Sequence, residues 1–205
     1  SFSSTVMAHS RFVTTDMPAL FGVTLATYFF LKGLERPNWK SILWAGLALG
    51  IALLTKFSTI LLLPFFLILL FVKLLINHDN KTRRRHFTFV FLILIFAFLL
   101  VVWPVYYFHT YHYPPDRQLN DTTTLLSSFG NRDAANVVIW LADKPVLRAL
   151  GQYGLGLLMV TQRATGGNTT YFLGEVSGDG WHYYFPLVYF MKEPLAWWGL
   201  VLIAL

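Results

Sequence analysis

Three short stretches of this sequence hold the residue types that do chemistry. The first is His9-Ser10-Arg11-Phe12-Val13-Thr14-Thr15-Asp16-Met17-Pro18. It sets a carboxylate, an imidazole, a guanidinium and several hydroxyls directly before an apolar run. A helix starting there favours a carboxylate at its N-terminal end through the backbone dipole, and a carboxylate so placed can act as a general base. The same position also suits a cap, in which Thr15 or Asp16 only satisfies free backbone N–H groups. The second is Lys56, set between apolar runs in Ala52-Leu53-Leu54-Thr55-Lys56-Phe57-Ser58. A lysine near membrane depth is costly and tends to be functional, or else it reaches its ammonium out to the headgroups. The third is the stretch 171–186, YFLGEVSGDGWHYYFP, followed by Lys192-Glu193-Pro194. An interfacial aromatic belt accounts for Trp181, Tyr183 and Tyr184. It accounts less well for Glu175, His182 and Lys192, which join Arg11, Asp16 and Lys56 as candidate site residues.

Long apolar runs must position these groups. The first covers 17–34, with Pro18 as a helix-start signal. A polar loop at 32–40 follows, carrying Lys32, Arg36 and Lys40 against Glu35. The runs 42–54 and 57–76 are together too long for one crossing of about 20 residues, so two helices with a turn near Lys56 are predicted. Pro64 is expected to kink the second of them. A basic loop at 77–86 precedes a run at 87–108, expected to kink near Pro104. Residues 109–184 are polar and amphipathic, with interfacial helices expected over 144–162 and 131–142 and a turn at Gly166-Gly167-Asn168. A last helix should begin around Pro186 or Pro194. The predicted fold is all-α: a multi-pass helical membrane protein with about five spans here and an extracytoplasmic loop with interfacial helices. Its parts are membrane helices over 1–108, the loop over 109–185 and the start of a further membrane helix over 186–205.

Composition agrees with that class. Hydrophobic residues make up 56% and charged residues 13%, against about 25% charged in an ordinary soluble domain. Mean hydropathy is +0.54. The formal net charge is +6, but the basic residues cluster in short segments between apolar runs. That is the pattern of cytoplasmic loops rather than of a nucleic-acid surface. With both basic loops cytoplasmic, Asp16, Lys56 and 109–184 fall together on the extracytoplasmic side. The segment 109–184 has five Lys/Arg and six Asp/Glu, consistent with a translocated loop. The chain has no cysteine, so disulfides and thiolate metal sites are excluded within it.

The three stretches also carry a resemblance. Residues 8–18 (AHSRFVTTDMP), 46–58 (GLALGIALLTKFS) and 171–194 (YFLGEVSGDGWHYYFPLVYFMKEP) resemble, in order and spacing, the polyprenyl-phosphate-dependent glycosyltransferases of the GT-C superfamily. The group in question includes protein O-mannosyltransferases and the bacterial lipid A aminoarabinose transferase. The resemblance implies a many-helix membrane enzyme whose active site faces the extracytoplasmic side, in a bacterial or archaeal plasma membrane. Its donor would be a polyprenyl-phosphate-linked sugar, which agrees with the lack of a Gly-rich nucleotide loop in this sequence. Its acceptor would be a hydroxyl of a protein, lipid or glycan. It further implies displacement at the sugar's anomeric carbon. Asp16 would hold or help deprotonate the acceptor, while Lys56, Arg11, His182 and Lys192 would serve the departing phosphate and Glu175 the sugar hydroxyls. The family's chief acidic motif belongs to a first extracytoplasmic loop, so that carboxylate is expected outside this stretch, which reads as an internal piece of a longer chain. No cofactor is assigned, and a divalent cation requirement stays open.

Two other classes compete. A transporter or channel segment would place ionisable residues inside the spans, and a non-catalytic scaffold would use 109–184 only to dock a partner. The ionisable residues sit instead at span ends, which favours a surface-facing active site.

Overall fold

The computed structural model describes residues 15–76, 79–166 and 169–204. The chain divides into two compact units, one of residues 18–160 and one of residues 1–17 with 161–205.

The larger unit is helical throughout its described residues. Helix α1 (Asp16–Glu35) leads through a three-residue link to α2 (Trp39–Thr55). Asn38 caps α2: its side chain accepts from Ser41 N at 2.9 Å, and Ser41 Oγ accepts from Asn38 N at 2.9 Å. The expected loop over 32–40 is therefore shorter, because this capping box starts the helix at Trp39 and Lys32 ends up in the last turn of α1. Helix α2 ends at Lys56, whose backbone is extended (φ −160°, ψ 137°). The chain restarts as a 3₁₀ turn (Phe57–Leu61) running into α3 (Leu62–Ile76). The buried hydroxyl of Thr59 lies 2.8 Å from Ala52 O and 2.6 Å from Lys56 O, so it takes up carbonyls that the break leaves open. The break expected near Lys56 is thus present. Pro64, expected to kink this run, is the third residue of α3, just after the change from 3₁₀ to α-helix.

The basic residues after α3 are helical rather than looped. Asp79 caps α4 (Asn80–Ile95), accepting from Thr82 N at 2.9 Å and Thr82 Oγ1 at 2.7 Å. The Thr82 hydroxyl and amide hold the Asp79 carboxyl below the usual carboxylate range. This cap pulls Lys81, Arg83, Arg84 and Arg85 into the first turns. The helix then widens into a π-helical segment (Phe96–Val102) and continues as α5 (Trp103–Thr110). A kink is expected from sequence near Pro104, and what lies just before it is this π segment. Proline removes a donor and crowds the preceding turn, and here Trp103 N donates to Phe98 O in the wider register.

Small residues let these helices approach. Gly22 on α1 lies so close to α2 that an added Cβ would come within 3.0 Å of Ala52 Cα. Gly22 and Ala52 are therefore at one end of this hairpin. At the other end His86 Nε2 lies 2.9 Å from Leu34 O, and an Arg85 guanidinium nitrogen donates to Pro37 O. The core between them holds Ala26, Phe30, Leu49, Leu53, Phe66, Phe89 and Ile93. Phe30 stacks on Phe66 with centroids 3.9 Å apart, joining α1 to α3. Only Leu62, Phe66 and Leu70 of α3 are buried, an i, i+4, i+8 stripe. The opposite face exposes Leu67, Ile68, Phe71 and Leu75, the surface a bilayer would cover.

Three helices, Asp16–Glu35, Phe57–Ile76 and Asn80–Thr110, are long and apolar enough to cross a membrane. Of the five expected spans, α2 is shorter at 17 residues, about 26 Å at 1.5 Å per residue. It works as the inner strut of the bundle. An added Cβ on its Gly50 would lie 2.5 Å from Val101 Cβ. Gly50→Leu is expected to destabilise the protein by about 1–3 kcal/mol through overpacking. Thermal unfolding in detergent checks this, and Gly50→Ala combined with Val101→Ala should recover most of the loss.

A second layer follows α5: α6 (Pro115–Leu125), α7 (Arg132–Asp143) and α8 (Arg148–Thr165). Helices α7 and α8 match the two expected over 131–142 and 144–162, with α8 starting only after the turn at Pro145. Helix α6, polar in composition, is not expected from periodicity. Leu126, Ala135, Val138 and Leu155 form this layer's own core.

In the smaller unit, β1 (Thr170–Phe172) pairs antiparallel with β2 (Glu175–Ser177), a small addition to an otherwise helical fold. Leu173 and Gly174 both have positive φ (49° and 95°), as a two-residue hairpin turn requires. Helices α9 (Tyr184–Lys192) and α10 (Leu195–Ala204) follow, two helices in place of the single one expected to begin around Pro186 or Pro194. Trp198 packs on Tyr189 and Phe190 and fixes the corner between them.

Candidate active site

Asp16 is the first residue of α1, with Pro18 third, and it is exposed. Lys56 is exposed at the break between α2 and the 3₁₀ turn, its backbone fixed by the Thr59 contacts just described. Arg11 lies outside the described residues.

Glu175 pairs in register with Phe172 across the hairpin and is exposed. Phe172, only 8% exposed, is the hub of an aromatic cluster. Trp181 lies 5.6 Å, Tyr183 6.2 Å and Tyr184 5.3 Å from it, centroid to centroid. The Ser177 hydroxyl accepts from Asp179 N and Gly180 N, both at 3.2 Å, and tightens the turn that leads to Trp181 and His182. Glu175 thus stands opposite the hub of this cluster in the hairpin, and His182 is exposed between Trp181 and Tyr183 in sequence. Lys192 is exposed at the end of α9 and is not part of that cluster. Asp16 falls in the same compact unit as Glu175, His182 and Lys192, while Lys56 falls in the larger one.

The larger unit holds a polar cluster that sequence reading missed. Arg148, 8% exposed, donates to Thr110 O at the end of α5. Fully buried Gln118 donates from Nε2 to Arg148 O at 3.0 Å and Gln152 Oε1 at 3.2 Å. Trp103 Nε1 donates to Val146 O at 2.7 Å. Tyr153 packs edge-on to Tyr106, centroids 5.3 Å apart, and burial pushes its phenol up to about 12. Its hydroxyl is buried with no hydrogen-bond partner among the described residues. These contacts seat α6 and α8 on α5. Beside them an open pocket of about 420 Å³ is lined by Leu54, Tyr106, His109, Thr110, Tyr113 and Gln152. Leu54 places it two residues from Lys56. The only sequence hint was a lone arginine and two glutamines in amphipathic stretches, which local periodicity reads as a wetted face.

Among the described residues, no group of three or more histidines and carboxylates is placed to hold a metal ion. The hydrophobic spans carry no acidic or basic side chain over 17–31, 41–55, 57–72 or 87–108.

The family model for dolichyl-phosphate-mannose-protein mannosyltransferase matches residues 1–108, more than half of the chain. The chain belongs to this family. No curated protein and no solved structure matches it. The matched region contains Arg11, Asp16 and Lys56 and stops before the second helical layer and the Glu175–His182 cluster. Membership is of the GT-C glycosyltransferase type and points to membrane glycosyltransferase activity. With its apolar helices, it makes this an integral membrane protein.

Proposed function

We propose that the chain is part of a multi-pass membrane enzyme that moves a sugar from a polyprenyl-phosphate donor to a hydroxyl acceptor on the extracytoplasmic side. One observation carries the reading: the family match includes both Asp16 and Lys56.

The chemistry follows from what such a transfer needs. An acceptor oxygen attacks the anomeric carbon, the bond from that carbon to the phosphate oxygen breaks, and the phosphate leaves on its lipid. The attacking hydroxyl must give up a proton, and a carboxylate within reach accepts it. Asp16 serves the acceptor in this scheme. The leaving phosphate gains charge as the bond breaks, and a fixed cation in a dry site offsets that charge. Lys56 is the group for this, with Arg11, His182 and Lys192 as further cations on the phosphate side and Glu175 on the sugar hydroxyls. The transporter reading is disfavoured by the absence of charged side chains inside the spans.

Two measurements test the proposal. Purified full-length protein, given mannosyl phosphate on a polyprenol or the matching nucleotide sugar, is expected to consume only the lipid-linked donor. Turnover of the nucleotide sugar alone would remove the donor assignment. Single-cysteine labelling tests the side, and the chain has no native cysteine to confuse it. A cysteine at Ser58 should react with a membrane-impermeant maleimide from the extracytoplasmic side and one at Lys81 from the cytoplasm. The reverse pattern would overturn the topology.

A further inference from the structure

At the end of the bundle opposite Lys56, the first turns of α4 and the link between α1 and α2 enclose a cleft of about 780 Å³. Its walls include Asn38, Trp39, Lys81, Arg84, Arg85 and Phe89. The charge of this segment alone would serve as an orientation signal wherever it lay. What charge does not require is a built cleft. Arg85 is already engaged, donating to Pro37 O, and so fixes one wall. Lys81 and Arg84 are exposed, and among the described residues their side chains make no ion pair. The one carboxylate close by in sequence, Asp79, is occupied by the α4 cap. A second, smaller cleft on the other side of Asn38 adds Lys32, Arg36 and Lys40 against Glu35, leaving this end strongly positive.

The face of α4 below the cleft identifies the occupant. Lys81, Arg84, Thr88, Phe91 and Ile95 follow one another at three- and four-residue steps, so they share one helix face. Thr88 lines the cleft, while Phe91 is 63% and Ile95 37% exposed. Along about 20 Å of helix the face passes from two free cations, through a hydroxyl, to bare apolar side chains. A free anion would use only the first part of that surface. We propose that this face binds one anionic phospholipid, its phosphate held by Lys81 and Arg84 with Trp39 alongside, and an acyl chain lying on Phe91 and Ile95. Basic clefts at the ends of membrane helices recognise anionic headgroups in this way.

The test uses the purified full-length protein in neutral detergent. Lipid binding is measured by native mass spectrometry and by the shift in Tm on adding dioleoyl phosphatidylglycerol, dioleoyl phosphatidylcholine, glycerol phosphate or inorganic phosphate. Phosphatidylglycerol should bind and raise Tm, and the other three should not. Lys81→Ala and Arg84→Ala should each weaken that binding about fivefold. Arg83→Ala removes the same charge from the neighbouring position, which does not line the cleft, and should change it less than about twofold. Arg84→Lys should restore most of the binding, and Tm without lipid reports whether each variant folds. Equal losses in Arg83→Ala and Arg84→Ala would reduce the effect to net charge and overturn the site. An equal response to phosphatidylcholine, or to either soluble phosphate, would overturn the lipid assignment.

Discussion

Asp16→Asn should cut sugar transfer by the full-length enzyme at least about tenfold while leaving folding and expression intact. Asp16 opens α1, where two roles meet. A cap needs only a side-chain oxygen, and asparagine caps about as well as aspartate. A base, or a negative group holding the acceptor, needs the charge, which asparagine lacks. Loss of a general base typically costs about 10²–10⁴-fold in rate, so tenfold is a low threshold. Less folded protein with normal specific activity would make Asp16 structural. Normal values for both would remove it from the site.

Lys56→Ala should lower kcat/KM for the lipid-linked donor by about 10²-fold, the cost typical of removing one group that stabilises developing charge. A compact ammonium suits a single phosphate, and Thr59 fixes the backbone beneath it through Ala52 O and Lys56 O. Lys73→Ala, removing a lysine near the far end of α3, should change kcat/KM less than about twofold. Near-normal activity in both variants would leave Lys56 as a side chain that only reaches the headgroups.

The sequence made the spans and the break at Lys56 legible because both are local. Twenty apolar residues announce a membrane helix, and a charged residue between two such runs announces its end. Helices α7 and α8 were legible for a similar reason, since their apolar face recurs at helical spacing. The first turns of α4 were not. Arg83-Arg84-Arg85 reads as a polar loop until Asp79 is seen capping a helix there. His86 was passed over as part of that loop, yet it is buried and reaches Leu34 O, 52 positions away. Helix α6 and the Gln118–Arg148 cluster depend on the same kind of distant partner. At the candidate site, composition flagged Glu175 and His182. That a hairpin turning at Leu173-Gly174 sets Glu175 opposite Phe172 follows from pairing that composition does not encode.

The π-helical segment at 96–102 sits between the part of one continuous helix that packs in the bundle and the part that meets the second layer. Below the segment, Phe89 and Ile93 of α4 face the bundle core. Above it, Trp103, Tyr106 and Thr110 of α5 face the layer that holds Val146, Tyr153 and Arg148. Successive residues of an α-helix are turned by about 100°, so one residue too many in a turn acts as a phase shifter between the two halves. Deleting Leu99 would return the segment to ordinary α-helix and swing α5 back by that angle, taking the Trp103 and Tyr106 side chains and the Thr110 carbonyl off their partners at once. The two layers are thus timed to each other by a single residue count. One-residue insertions or deletions between 96 and 102 are expected to lower Tm in detergent more than conservative substitutions there, because they turn α5 against its partners.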